Sequence, residues 1–185
     1  MKDADMCCRW VSNPRVHKYL GLLHPVRTVQ QERSWIASIL TDKQHQRSFV
    51  IEDESRRPIG TCGLRGIDDE HGTAFFGIMI GEPELWGRGY GTAAARSLLR
   101  FGFRELSLKE IRLSCHRDNR PALRCYEKVG FRPSSHRPDQ AQFGEGEIRM
   151  AMSRDEWLAL ARKSARTPAD ESLPRPRSKL TASDT

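Results

Sequence analysis

The sequence predicts an α/β protein with a mixed central sheet, antiparallel at its start and parallel in the middle, flanked by helices. Three observations carry that prediction. Three short strand-like runs follow one another between residues 48 and 80; the apolar period lengthens to a helical one after Gly91; and strand and helix patterns alternate from there on.

Taken in order, Trp10 and, beyond the Asn13-Pro14 break, Val16, Tyr19 and Leu20 recur at helical spacing, predicting two short helices joined by a turn. Thr28 and Gln31 form a capping box, in which hydroxyl and amide satisfy orphan backbone donors. Trp35, Ile36, Ile39 and Leu40 then give the apolar face of a helix over 29–41. Ser48 to Glu52, Pro58 to Arg65 and Thr73 to Ile80 read as strands. The turns at Arg57-Pro58 and Asp68 to Gly72 make them an antiparallel meander.

Ala95, Leu98, Leu99, Gly102, Phe103 and Leu106 fall at i, +3, +4, +7, +8 and +11, the pattern of a helix facing a sheet. Ile111 to Cys115 is a short strand, and 120–129 a helix with Pro121 in its first turn and Gly130 closing its end. This order requires a right-handed parallel crossover. Phe131, Gln142-Phe143 and Glu147 to Ser153 supply the last strand material. Ser153 and Glu156 then form a second capping box ahead of Trp157, Leu158 and Leu160.

From Ala165 on, the residues are rich in Pro, Ser, Thr and mixed charge, with too few apolar groups to offset the entropy of ordering. The expected organisation is one domain over 1–164 and a disordered tail over 165–185.

The 185 residues carry a formal charge of +7, which suits a polyanionic ligand such as a nucleotide, RNA or an acidic membrane surface. The arginines are scattered, without basic runs or interleaved aromatic platforms, so a nucleic acid is not expected as the primary partner. Cys7, Cys8, Cys62, Cys115 and Cys125 are odd in number and include no CxxC pair, as in a reducing cytoplasm. No run of about 18 apolar residues marks a membrane span. The six histidines show no ligand spacing, so no metal is expected, and a homodimer is left open.

The segment with chemical content is Trp86-Gly87-Arg88-Gly89-Tyr90-Gly91-Thr92, three glycines at alternate positions where a loop enters a helix. A helix N-terminus offers unsatisfied N–H groups and partial positive charge, each anion contact contributing ~0.3–1 kcal/mol, which suits a pyrophosphate. Arg88 adds a cation. The spacing is neither the dinucleotide GxGxxG nor a P-loop, so NAD and ATP are disfavoured. A second constellation runs from Asp118 to Phe131, with Asn119 at a helix cap position and Tyr126 two turns on. On spacing alone Asn119 is a cap and Tyr126 a core tyrosine.

Together these segments resemble the GCN5-related N-acetyltransferases, with their phosphate loop followed by an N-x-x-A-x-x-x-Y-E-K-x-G-F segment, over about Met6 to Met152. WVSNPRVHKYL, PIGTCGL and ELWGRGYGTAA look most like the ribosomal-protein-alanine N-acetyltransferase branch, which also includes spermidine and drug acetyltransferases.

The resemblance implies acetyl-CoA as co-substrate and an amine acceptor, a protein N-terminus or a small molecule. By the same carry-over, the backbone of Met79, Ile80 and Gly81 pairs with the pantetheine arm. Gly87, Arg88, Gly89, Tyr90, Gly91 and Thr92 cradle the pyrophosphate, Asn119 bonds near the thioester end, and Tyr126 protonates the departing thiolate.

The sequence departs from the family in three places. Trp86 takes the usual Arg or Gln position, no strand pattern precedes the first helix, and Phe75, Phe76 and Ser114 stand where relatives carry a glutamate base. His71, Glu82, Glu84 and His116 are candidate bases only by flanking strand ends. The missing glutamate also supports a rival reading, a non-catalytic acyl-CoA-binding scaffold contacting RNA or protein through its basic surface.

Overall fold

The computed structural model describes residues 2–20, 28–42, 44–135 and 146–166. Helices α1 (Lys2–Ser12), α2 (Pro14–His17) and α3 (Val29–Thr41) come first. Asn13 Oδ1 accepts the Arg15 N–H at 3.0 Å and opens α2. Thr28 and Gln31 exchange bonds of 2.8 and 3.2 Å at the start of α3. The side chains of Trp35, Ile36, Ile39 and Leu40, and the 142–143 segment, lie outside the described residues.

One sheet contains β1 (Gln46–Glu52), β2 (Pro58–Asp68), β3 (Thr73–Ile80), β4 (Glu110–His116), β5 (Arg132–Pro133) and β6 (Glu147–Ser153), in the order β1-β2-β3-β4-β6-β5. The first three strands are the expected meander. Helix α4 (Tyr90–Arg100) carries the crossover from β3 to β4, and these two strands are parallel. The parallel centre is narrower than expected, because α5 (Arg120–Val129) delivers the chain to the short edge strand β5. β6 then returns antiparallel between β5 and β4. The sheet begins at Gln46, and the residues described before it are helical or in turns.

The helix expected to run through Leu106 ends at Arg100 and passes into a π-helical turn, Phe101–Glu105. That wider turn sets the Gly102 backbone on the sheet, where a Cβ would come within 2.6 Å of Ile111 Cδ1. The core lies between the sheet and α4, α5 and α6 (Arg154–Arg166). Leu98, Leu99, Phe103, Ile111, Phe131 and Met152 are all buried there. Burying each such side chain stabilises by ~1.5–3 kcal/mol.

The Glu156 N–H donates to Ser153 Oγ at 3.3 Å, completing the capping box that opens α6. α6 reaches Arg166, two residues into the expected tail; 167–185 lie outside the described residues. Among the described residues no helix is long and apolar enough to cross a membrane.

Candidate active site

β3 and β4 pair at only three positions, from Thr73↔Glu110 to Phe75↔Arg112. β3 continues to Ile80 and β4 to His116, so a gap opens along about 16 Å of strand edge. The Gly81 N–H donates to the Ile59 carbonyl at 2.8 Å, which fixes the parity of the β2–β3 ladder. Met79 and Gly81 therefore turn their backbone groups toward β2, while Ile78 and Ile80 turn theirs into the gap. A Cβ at Gly60 would overlap the Met79 carbonyl oxygen, which confirms that orientation. Of the three backbone positions expected to receive the pantetheine arm, Ile80 faces the gap, and Met79 and Gly81 are engaged with β2.

The glycine loop leads into α4 at the mouth of this gap. Gly87 has φ +77° and Gly89, the N-cap of α4, has φ +93°, left-handed values that disfavour any side chain. A Cβ on either would meet nothing within 4 Å, so backbone conformation, not space, demands glycine there. Gly91 differs: a Cβ would make ordinary contacts, 3.8 Å from Cys125 Sγ and 4.0 Å from Ile80 Cγ1. A left-handed backbone is thus what requires glycine at two of the three positions.

The Ala93 N–H closes the first turn on Gly89 O at 2.9 Å, and α4 has no side-chain cap. The N–H groups of Gly89, Tyr90, Gly91 and Thr92 therefore have no acceptor among the described residues, and Arg88 is exposed beside them. Four convergent donors at a helix N-terminus fit a pyrophosphate. The Tyr90 hydroxyl donates to Glu54 Oε2 at 2.6 Å, anchoring the loop to the β1–β2 turn. That bond holds the Glu54 carboxyl below its usual range and pushes the Tyr90 phenol up.

α5 packs beside α4, with Thr92 Oγ1 3.5 Å from Cys125 Sγ. Tyr126 is 8% exposed and its hydroxyl makes no hydrogen bond with the described residues. Burial, with Cys115 and Cys125 nearby, pushes its phenol well above the usual range. Asn119 caps α5, its Oδ1 accepting the Ala122 N–H at 3.3 Å. Burial also raises the thiols of Cys115, to about 11, and Cys125, so both are protonated at neutral pH and poor nucleophiles.

The proposed bases fare unevenly. His71 pairs with Asp68 at 2.8 Å on the β2–β3 turn, at the far end of β3 from the gap. Glu82 accepts from Trp10 Nε1 at 3.0 Å, and Glu84 pairs with Arg15 at 3.4 Å. His116 does border the gap, and its Nδ1 accepts the Asp118 N–H at 3.2 Å and lies 3.7 Å from Asp118 Oδ2.

Sequence reasoning missed two features here. Glu147, opposite His116 on β6, is a carboxylate with a side chain only 1% exposed, paired with Arg149 at 2.6 Å. The Trp86 indole donates to the Ile80 carbonyl at 2.9 Å. Neither has a local sequence signal, since both depend on register and tertiary packing. Among the described residues no group of three or more His, Cys, Asp or Glu is placed to hold a metal.

A sheet splayed beside an uncapped glycine-started helix defines the class: residues 1–132 match the acetyltransferase (GNAT) domain, and the chain belongs to that family. It is an acyl-CoA-dependent N-acetyltransferase. It is 33% identical over 134 residues to the uncharacterized N-acetyltransferase p20 of Bacillus licheniformis, covering 71% of this chain and 74% of that protein. Spermidine N(1)-acetyltransferase of Escherichia coli K12 is 35% identical over 88 residues, 48% of this chain and 46% of the relative.

The fold is shared with solved structures, among them two acetyltransferases. The spermidine N-acetyltransferase from Vibrio cholerae, in complex with CoA and spermine, aligns with a TM-score of 0.72 at 24% identity over 85% of this chain and 93% of that one. A GNAT-family acetyltransferase from Bacillus anthracis aligns with a TM-score of 0.68 at 25% identity over 83% and 90%.

Proposed function

We propose that the chain transfers the acetyl group of acetyl-CoA to the primary amine of a small molecule of the polyamine class, by direct attack in a ternary complex. The observation that carries the reading is the meeting of four N–H groups without an acceptor among the described residues, the gap-facing edge of Ile78 and Ile80, and Tyr126 at one place. The pyrophosphate lies at the start of α4 and the pantetheine arm along the gap, with the Ile80 N–H stabilising the oxyanion as the amine attacks the thioester carbonyl. Asn119 holds the start of α5, and through it the placement of Tyr126.

Tyr126 keeps its proton at every working pH, because its phenol is pushed up. It acts as donor to the departing thiolate and never as base; the proton that the amine nitrogen sheds on becoming an amide passes to solvent at the open face, and solvent reprotonates Tyr126. The amine arrives neutral from the face of the sheet away from α4 and α5, where Ser114, His116 and Glu147 lie. The raised thiols of Cys115 and Cys125 argue against an acetyl-cysteine intermediate, and an acetylated cysteine trapped in single turnover contradicts direct transfer.

The polyamine class is favoured by the spermidine N-acetyltransferases among the relatives. A second reading, a protein N-terminus, rests on the resemblance of 10–20 and 84–94 to the ribosomal-protein-alanine branch. Coenzyme A release measured with spermidine, and with short peptides of N-terminal alanine or serine, separates them. Turnover with spermidine alone supports the first, turnover with peptides alone the second, and tight coenzyme A binding without turnover on any amine the scaffold. Residues 1–164 form the catalytic unit in this reading.

A further inference from the structure

The glycine loop is held from outside by helices α1 and α2. The Trp10 ring, 2% exposed, lies so close to Gly81 that a Cβ there would overlap the indole. Its Nε1–H donates to Glu82 Oε1 at 3.0 Å, and Arg9 Nη2 reaches the same oxygen at 3.4 Å. One helix further on, Arg15 donates to Glu84 at 3.4 Å, and its guanidinium carbon lies 5.5 Å from the Trp86 ring centroid. Trp86 in turn donates to the Ile80 carbonyl. Contacts therefore run from α1 and α2, through 81–86, to the strand edge at the gap.

The position of the last contact matters. Ile80 lies past the last β3–β4 pair, so its carbonyl has no strand partner on that side. The indole N–H satisfies one lone pair and fixes the peptide plane; the second lone pair stays available to an amide N–H in the gap. The ion pair of Arg15 with Glu84 is exposed and weak by itself, but it acts together with the ring contact on the residue that holds Ile80.

We propose that Trp86 is a positioning residue for the pantetheine arm, with Trp10 and Arg15 as its supports, so that α1 and α2 set the affinity for coenzyme A. The proposal rests on the acetyl-CoA reading above. It assigns a role to the tryptophan standing where relatives carry Arg or Gln: the indole organises the strand edge. It predicts that the defect of a Trp86 variant is confined to ligands with a pantetheine arm.

The test is calorimetric titration of the full chain with coenzyme A and with its fragment 3′-phosphoadenosine 5′-diphosphate, which has no arm. Trp86→Phe keeps a ring beneath Arg15 and deletes the donor; Arg15→Ala removes both of its contacts to the loop. Arg33→Ala, which breaks a pair with Asp5 of 3.3 Å between α3 and α1, is the control.

Trp86→Phe is expected to weaken coenzyme A about three- to tenfold, the worth of one hydrogen bond, and to leave the fragment unchanged. Arg15→Ala weakens coenzyme A in the same direction, and Arg33→Ala does not. Equal coenzyme A affinity in Trp86→Phe and wild type overturns the proposal. So does an equal loss for coenzyme A and fragment, which marks a structural role. A wild-type chain that binds neither ligand refutes the acetyl-CoA reading instead.

Discussion

The Phe76 ring meets the Tyr126 ring edge-on, centroids 5.8 Å apart and planes at 83°. Phe76 is the first residue of β3 beyond its last pair with β4, and Phe131 closes the cluster at 5.5 Å from Phe76 and 6.1 Å from Tyr126. A tyrosine locked between two rings at the root of the gap is fixed in direction, as the proton donor proposed above must be.

Replacing Tyr126 by Phe preserves this packing, and its hydroxyl has no hydrogen bond to lose among the described residues. Steady-state assays are expected to show kcat reduced by ~10²–10⁴ with KM for acetyl-CoA within a fewfold, and calorimetric unfolding to show no loss of stability. Unchanged kcat removes Tyr126 from the chemistry.

Asn119 carries a cap whatever else it does. Asn119→Ala is expected to destabilise by ~1 kcal/mol, and Asn119→Asp, which keeps an acceptor for the Ala122 N–H, by less. If Asn119 also touches the co-substrate, Asn119→Asp still weakens coenzyme A while retaining the melting temperature. Equal binding by Asn119→Asp and wild type confines Asn119 to capping.

At Gly81 any side chain collides with the Trp10 indole. Gly81→Ala is expected to cost ~1–3 kcal/mol by overpacking, and Trp10→Leu in the same chain to restore part of it. Denaturant unfolding of both variants checks this. Additive losses contradict the contact.

Burial pushes the Cys62 thiol up to about 12, against an ordinary 9.0. Its folded value exceeds the unfolded one, so its contribution is fully present below pH 9.0 and is lost as pH rises toward about 12. Within that window the group alone lowers stability by ~1.4 kcal/mol per pH unit. Cys62→Ala is expected to flatten the fall in stability above pH 9.0, measured by urea unfolding across the alkaline range. A slope unchanged by the substitution contradicts the assignment.

Local signals were legible where the chemistry is local. The capping boxes at Thr28 and Ser153, the Asn119 cap and the left-handed Gly130 all lie where side-chain chemistry and spacing place them. Long-range features were not. The backbone direction of Met79 depends on its partner Thr61, and the end of α4 at Arg100 on how closely Gly102 approaches Ile111. The Trp86–Ile80 bond joins residues six apart through a turn with no pattern of its own. The row of N–H donors in the glycine loop was legible because it comes from consecutive residues, whereas the face proposed above for the acceptor is assembled from β4 and β6, which are distant in sequence.

The central claim is that the start of α4 binds the co-substrate, and calorimetric titration with acetyl-CoA of the wild type and of Gly89→Val tests it most directly. A β-branched residue cannot hold φ +93° without strain of ~1–3 kcal/mol, yet a Cβ there meets nothing within 4 Å, so the fold is expected to survive while the loop rearranges. Binding by the wild type that Gly89→Val loses is the predicted result. Absence of binding by the wild type, or equal binding by both, contradicts the account.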